Sequence, residues 1–313
     1  MVGSAAMERR SALSLALNDA KEALPVVRRT ARSVQIAADD VATIMLGADF
    51  EDRLRRVNIA HASSGVDPFG LDPAWAKYAL AMSAFFYRFY FRAETTGIHH
   101  IPHGRVILVS NHSGQLPFDG VTIAGALFLE NDPPRIIRSM VEKWTQTLPF
   151  VSTAYSRVGQ VVGVPENARR LLDQGEALLV FPEGTRGISK PFSDRYKLAD
   201  FGLGFLRLAL ETRTPIVPIA VVGAEEQYIS FGNLPRMAKI FHMPSFPLVP
   251  QFLIPGLQMP LPVKYHIHFG EPMTFEGDPD DDDAVIEEKV HRVKAAIEQM
   301  IAKGLEERTG VFF

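Results

Sequence analysis

Between residues 105 and 269 the chain alternates short apolar runs with longer amphipathic stretches, and that alternation narrows the available folds more than any other feature. The runs 105–110, 135–140, 177–181, 216–222 and 263–269 are rich in Val, Ile and Leu and read as strands. The stretches 119–129, 166–173 and 199–211 between them read as helices. A strand that returns through a helix lies parallel to its predecessor, because a parallel crossover needs a dozen or more residues. The expected fold is therefore α/β, a mainly parallel central sheet flanked by helices with its site at the strand ends. Upstream, residues 7–48 read as one or two amphipathic helices, Ser63-Ser64-Gly65 with Pro68 and Gly70 as a linker, and 73–92 as a helix. This divides the chain into an N-terminal helical extension, 1–93, and a main domain, 94–313. Near the C-terminus Ile286, Val290, Val293, Ile297 and Met300 recur at steps of four and three, a packing helix. The acidic run 278–283 before it suits the positive helix N-terminus and lacks the glycine and spaced ligands of a calcium loop.

Two motifs sit at the ends of expected strands. Asn111-His112 follows the run 105–110, with Asp119 seven positions beyond the histidine, and Phe181-Pro182-Glu183-Gly184-Thr185-Arg186 follows the apolar run 177–180. Val217-Pro218-Ile219 lies on a later strand. In order and combination, over roughly residues 97–270, these resemble the signatures of the glycerolipid acyltransferase family, which contains the lysophosphatidate acyltransferases.

The resemblance implies that His112 is the general base, that Asp119 orients its ring, and that Glu183, Gly184, Thr185 and Arg186 form the acceptor site. The chemistry fits those residue types. Acyl transfer from a thioester must remove a proton from a barely acidic hydroxyl, a task for neutral imidazole. A carboxylate behind the ring fixes the tautomer and steadies the imidazolium that forms. Similarity to the family also implies acyl-CoA or acyl-carrier protein as donor, a lysophospholipid acceptor, most naturally 1-acylglycerol-3-phosphate, and no metal or organic cofactor.

The chain departs from the family pattern twice. Six residues, Ser113 to Phe118, separate the histidine and aspartate where four are usual. On an unbroken helix that spacing would put the side chains roughly 10 Å apart, too far to hydrogen-bond. Gly114 and Pro117 instead suggest a loop folding His112 back onto a helix that starts near Pro117; otherwise Asp119 merely begins that helix. The second departure is Val164-Pro165, standing where many relatives carry a phosphate-binding arginine, with Arg157, Arg169 and Arg170 nearby but out of register. This leaves open a neutral or zwitterionic acceptor such as a monoacylglycerol. A hydrolase using the same His112 and Asp119 stays open too, though no Gly-x-Ser-x-Gly elbow occurs.

Composition excludes other classes. The 313 residues, 47% hydrophobic with net charge -3, can bury a large core and carry no basic tract to follow a nucleic-acid backbone. The absence of cysteine excludes an acyl-cysteine route and thiolate metal sites and fits a reducing cytoplasm. His99, His100 and His103 lack an acidic cluster to complete a metal site, and His266 and His268 share one face of a strand.

The expected location is the cytoplasmic face of a membrane, bound peripherally. Residues 1–19 do not read as a secretory signal. The aromatic stretch 75–92 is short for a span, and its Lys77, Arg88 and Arg92 fall within about 60° on a helical wheel, suiting a helix in the lipid interface. The uncharged stretch 242–262 carries too many prolines for a regular helix and reads as an apolar loop on the lipid or over the acyl channel.

Overall fold

Strands β1 (Glu94–Thr96), β2 (Val106–Ser110), β3 (Ile137–Val141), β4 (Val161–Val162), β5 (Ala177–Val180), β6 (Ile216–Val222) and β7 (His266–Phe269) form one sheet in the order β1-β7-β6-β2-β5-β3-β4. All neighbours run parallel except β6 and β7. The helices are α1 (Phe50–Arg56), α2 (Pro73–Phe85), α3 (Phe118–Leu129), α4 (Val151–Arg157), α5 (Pro165–Asp173), α6 (Thr185–Ile188), α7 (Gly204–Thr212), α8 (Pro235–Ile240) and α9 (Asp283–Glu307). This computed structural model describes residues 50–57, 65–113, 115–147, 150–240, 245–254 and 258–313, with residue 40. The chain divides into two units, 1–48 and 49–313. The amphipathic helices expected within 7–48 lie outside the described residues, residue 40 apart.

Strand β2 sits at the centre with every residue buried, as does β6 beside it. Helices on both faces explain why these strands read as unbroken apolar runs rather than alternating ones. Ile107 and Val109 join Leu171 and Leu172 of α5, Leu206 and Ala209 of α7, and Ile286, Val290, Val293 and Ile297 of α9 in one core. Each such Val, Leu or Ile side chain, fully buried, contributes on the order of 1.5–3 kcal/mol of hydrophobic stabilisation. On the other face α2 packs against α3, where a Cβ on Gly125 would come within 3.1 Å of Tyr87 Cβ and 3.2 Å of the Ser83 carbonyl.

Strands β3 and β7 start at Ile137 and His266 rather than at 135 and 263, and larger departures from the sequence expectation lie elsewhere. The helix expected over 73–92 is α-helical only to Phe85, continues as a π turn over Phe86–Tyr90, and ends before Arg92, which is left-handed at φ 46°. The turn packs Phe86 on Phe118 at 4.7 Å between ring centroids, and Phe91 stacks on Tyr265 at 4.2 Å. The Arg92 guanidinium donates to the carbonyls of Tyr90, Pro262 and Phe312, and Lys77 lies over the Phe50 ring, so the expected stripe of three outward cations does not form. Helix α7 starts at Gly204 rather than Ala199, because Ala199 and Gly202 spend their N–H groups on Glu183 and the Pro182 carbonyl. Finally, the expected linker is anchored: Asp67 accepts the N–H groups of Phe69 and Leu71 and lies 2.7 Å from the buried Arg138 guanidinium.

His100, His266 and His268 make structural contacts. His100 contacts the Phe269 carbonyl and Glu271, each at 2.9 Å. His266 and His268 share a face beside Glu94 and Thr96, and burial pushes both imidazoles below their ordinary range. Charging them therefore opposes folding as pH falls below that ordinary range. Among the described residues no group of three or more His, Asp or Glu could hold a metal. No described helix is long and apolar enough to cross a membrane.

Candidate active site

Strands β2 and β5 pair in parallel with Val109 opposite Val180. Carried past the strand ends, that register sets His112 beside Glu183. The contact forms: the His112 N–H donates to Glu183 Oε1 at 2.9 Å. On the β6 side the Asn111 carboxamide donates to the Val221 carbonyl at 3.0 Å and accepts its N–H at 2.8 Å, continuing the ladder with a side chain. The backbone carrying His112 is thus held from both neighbouring strands.

The chain then turns back as the spacing required. Gln115 is left-handed at φ 46°, Pro117 occupies the N-cap position of α3, and Asp119 lies in its first turn. His112 Nδ1 is 2.8 Å from Asp119 Oδ2. Asp119 is fully buried and also accepts the N–H groups of Ser113 at 2.9 Å and Gly120 at 2.7 Å. A carboxylate so placed accepts only, so Nδ1 carries the proton and Nε2 presents its lone pair. Phe181 stacks on the imidazole at 4.0 Å and 21°, fixing the plane of the ring.

The second motif walls the site. Glu183 is 2% exposed, with its other oxygen taking the Ala199 N–H at 2.8 Å. Gly184 makes the turn at φ 58°, with Glu142 Oε1 3.0 Å from where its Cβ would stand. Thr185 opens α6, and the exposed Arg186 donates to the Asp200 carbonyl at 2.9 Å. A Cβ on Gly187 would lie 2.9 Å from His112 Cβ, so α6 presses directly against the loop carrying His112. The fold therefore brings His112, Asp119, Glu183 and the 184–186 turn to one end of β2 and β5. Arg157 and Arg170 cover the rings of Trp75 and Phe69, and Arg169 pairs with Glu166 and Glu211.

Several supporting residues escaped the sequence reading. Asn111 and Phe181 lie within the motifs but carry no pattern that announces their contacts. Gln227, fully buried, donates to the Leu116 carbonyl at 3.2 Å and accepts the Tyr265 hydroxyl at 2.7 Å, bracing the segment after His112. Lys190 and Glu225 lie 35 residues apart and meet beside Glu183. Only the folded chain pairs them.

Comparison with known proteins bears on the family and the fold. The family model described as Acyltransferase matches residues 92–222. An uncharacterised protein of Mycobacterium tuberculosis is 36% identical over 256 residues, 79% of this chain and 72% of that protein. A Gallus gallus protein described as a DGAT1/2-independent enzyme synthesizing storage lipids is 25% identical over 212 residues, 67% of this chain and 59% of its own. The crystal structure of the 1-acyl-sn-glycerophosphate (LPA) acyltransferase from Thermotoga maritima superposes with a TM-score of 0.50 at 18% identity, covering 90% of this chain and 99% of that one, a likeness of fold. From the ordered motifs, the His–Asp pair and these matches, the chain belongs to the acyltransferase family.

Proposed function

We propose that the protein transfers a fatty acyl group from acyl-CoA or acyl-carrier protein to the free hydroxyl of a lysophospholipid, with 1-acylglycerol-3-phosphate as the preferred acceptor. The observation that carries the reading is the His112–Asp119 pair at 2.8 Å, with Arg186 on the helix that packs against it. His112 Nε2 takes the hydroxyl proton, the oxygen attacks the thioester carbonyl, and the tetrahedral intermediate collapses with loss of the thiolate, which the imidazolium then protonates. Asp119 steadies the imidazolium throughout. The reaction requires neither a metal nor an organic cofactor, since the thioester supplies the leaving group. Hydrolysis through Ser113 is disfavoured, because that side chain is fully buried against Asp119 rather than open to a substrate.

Arg186 supports a phosphate-bearing acceptor, since an exposed guanidinium can meet phosphate with two parallel hydrogen bonds. A neutral acceptor is the second reading. It is favoured by Arg157, Arg169 and Arg170, all held on other partners around the Val164-Pro165 block, and by the chicken relative's description as an enzyme synthesizing storage lipids. A panel of phosphorylated and neutral acceptors with one acyl-CoA separates the two. Lysophosphatidate is expected to be acylated fastest, and Arg186→Ala to lower kcat/KM for it about twentyfold, as loss of a charged hydrogen bond would. Monoacylglycerol should be affected less than about threefold. Equal damage to every acceptor would leave acyl transfer standing and remove the phosphate assignment.

The proposed location is a membrane surface, held by apolar contact more than by charge. Trp75, Tyr78, Met82 and Phe89 stand exposed along α2 and its π turn. Leu253, Ile254 and Met259 are exposed on the proline-rich segment, which Tyr90 and Arg92 tie to that same turn. Aromatic rings suit the headgroup boundary. Sedimentation with anionic vesicles should persist in high salt and fall at least tenfold in the variant Trp75→Ser, Met82→Ser, Phe89→Ser. Release by salt alone would contradict an apolar anchor.

A further inference from the structure

Glu183 is a buried carboxylate committed at both oxygens to backbone N–H groups, those of His112 and Ala199. The cation that reaches it is Lys190, with Nζ 3.3 Å from Glu183 Oε2 and the side chain 11% exposed. The same ammonium donates to Glu225 Oε1 at 3.1 Å and to the Lys197 carbonyl at 3.1 Å. Three protein oxygens therefore lie within 3.3 Å of this ammonium, which hydrogen-bonds two of them and pairs by charge with Glu183. The backbone carbonyl of Lys190 faces the catalytic loop as well, accepting from the Gln115 carboxamide at 3.4 Å. Behind it, Glu225 takes the Tyr196 N–H at 2.9 Å, and neighbouring Glu226 is gripped by Arg308 near the chain end.

We propose that Lys190 is a positioning residue for acyl transfer: its ammonium holds Glu183 in place, and Glu183 holds the backbone of His112. The kinetic side of this inference rests on the acyltransfer reading; the structural side does not. Without Lys190, Glu183 and Glu225 would face each other as buried carboxylates with their bridging cation gone. Burial already pushes Glu225 up to about 7 with Lys190 present. Left buried without its cation, the Glu183 carboxylate would shift toward water and away from the backbone N–H groups it accepts. The His112 N–H would lose its partner, and the ring would drift from its reactive placement.

The test compares wild type, Lys190→Met, Lys190→Arg, Glu183→Gln and the double variant Glu183→Gln, Lys190→Met, using palmitoyl-CoA with the acceptor panel. Lys190→Met should lower kcat about thirtyfold with KM for both substrates within about twofold, because misplacing a reacting group by an ångström costs up to about 10²-fold. Lys190→Arg should lose less than about fivefold. The double variant should be no slower than Glu183→Gln alone, the non-additivity of residues acting in series. Hydrogen exchange read on the peptide spanning 110–117 needs no turnover. It should quicken about tenfold in Lys190→Met and Glu183→Gln, with protection in β6 unchanged. Unchanged exchange at 110–117, loss of protection throughout the sheet, or additive kinetic losses would each overturn the inference. If exchange changes locally while wild type acylates no acceptor on the panel, the positioning contact stands and the acyltransfer reading falls.

Discussion

Replacing His112 by Ala is expected to lower turnover by about 10²–10⁴-fold, the range general-base catalysis supplies, with the melting temperature little changed. The expectation follows from geometry. Nδ1 is committed to the buried Asp119 at 2.8 Å, so Nε2 is the ring atom able to accept a proton. The backbone contacts of this residue to Glu183 and the clasp of Asn111 on Val221 do not involve the imidazole, so the loop keeps its path in the variant. Asp119→Asn should also fall sharply, for a different reason. An amide can present its NH2 to Nδ1 and reverse the tautomer, and it no longer carries the charge that steadies the imidazolium. The measurement is kcat for thiol release from acyl-CoA in the presence of acceptor, with circular dichroism as the check on folding. Wild-type turnover by His112→Ala would end the general-base assignment.

Gly187→Ala should lower kcat by about 10²-fold without touching a single functional group. A Cβ there would stand 2.9 Å from His112 Cβ, 3.0 Å from Glu183 Cβ and 3.0 Å from the His112 carbonyl oxygen. These are near-backbone atoms that cannot swing away, so His112 or α6 must move, and a shift on the ångström scale is enough for a loss of that size. Gly202→Ala provides the control, since its added Cβ would meet only the Pro182 carbonyl at 3.7 Å, ordinary contact. The control should keep activity within about threefold. Equal rates for both variants and wild type would show that the His112 loop yields more freely than its packing implies.

Strands β2, β3, β5, β6 and β7 and their order along the chain were legible because they depend on local pattern, whereas β1 and β4, three and two residues long, were not. A run such as Val106–Ser110 must be buried on both faces to be uniformly apolar, and a helix between two such runs makes them parallel. The reversal after His112 was legible as well, since seven positions on a helix cannot bring a histidine to an aspartate and Pro117 offered a helix start. Reading failed where a long-range hydrogen bond competed with local propensity. Helix α7 begins late because Glu183 and Pro182 claim the N–H groups of Ala199 and Gly202. Arg92 leaves its helical wheel because the carbonyls of Pro262 and Phe312 offer its guanidinium partners far along the chain.

By itself, the sequence determined that this chain builds a mainly parallel α/β sheet and that a histidine and an acidic-glycine-arginine motif each follow the end of a strand; that those strands are neighbours came from the sheet order. The first two follow from periodicity and motif order, which are properties of short segments. The tertiary structure alone decided what each group is free to do. Glu183 turns inward as a brace, Arg186 stays at the surface, and Lys190, Glu225 and Gln227 converge beside the loop carrying His112. The physical reason is that burial and hydrogen-bond partnership are set by which distant segments pack together, and a buried carboxylate takes its role from the donors and cations that reach it.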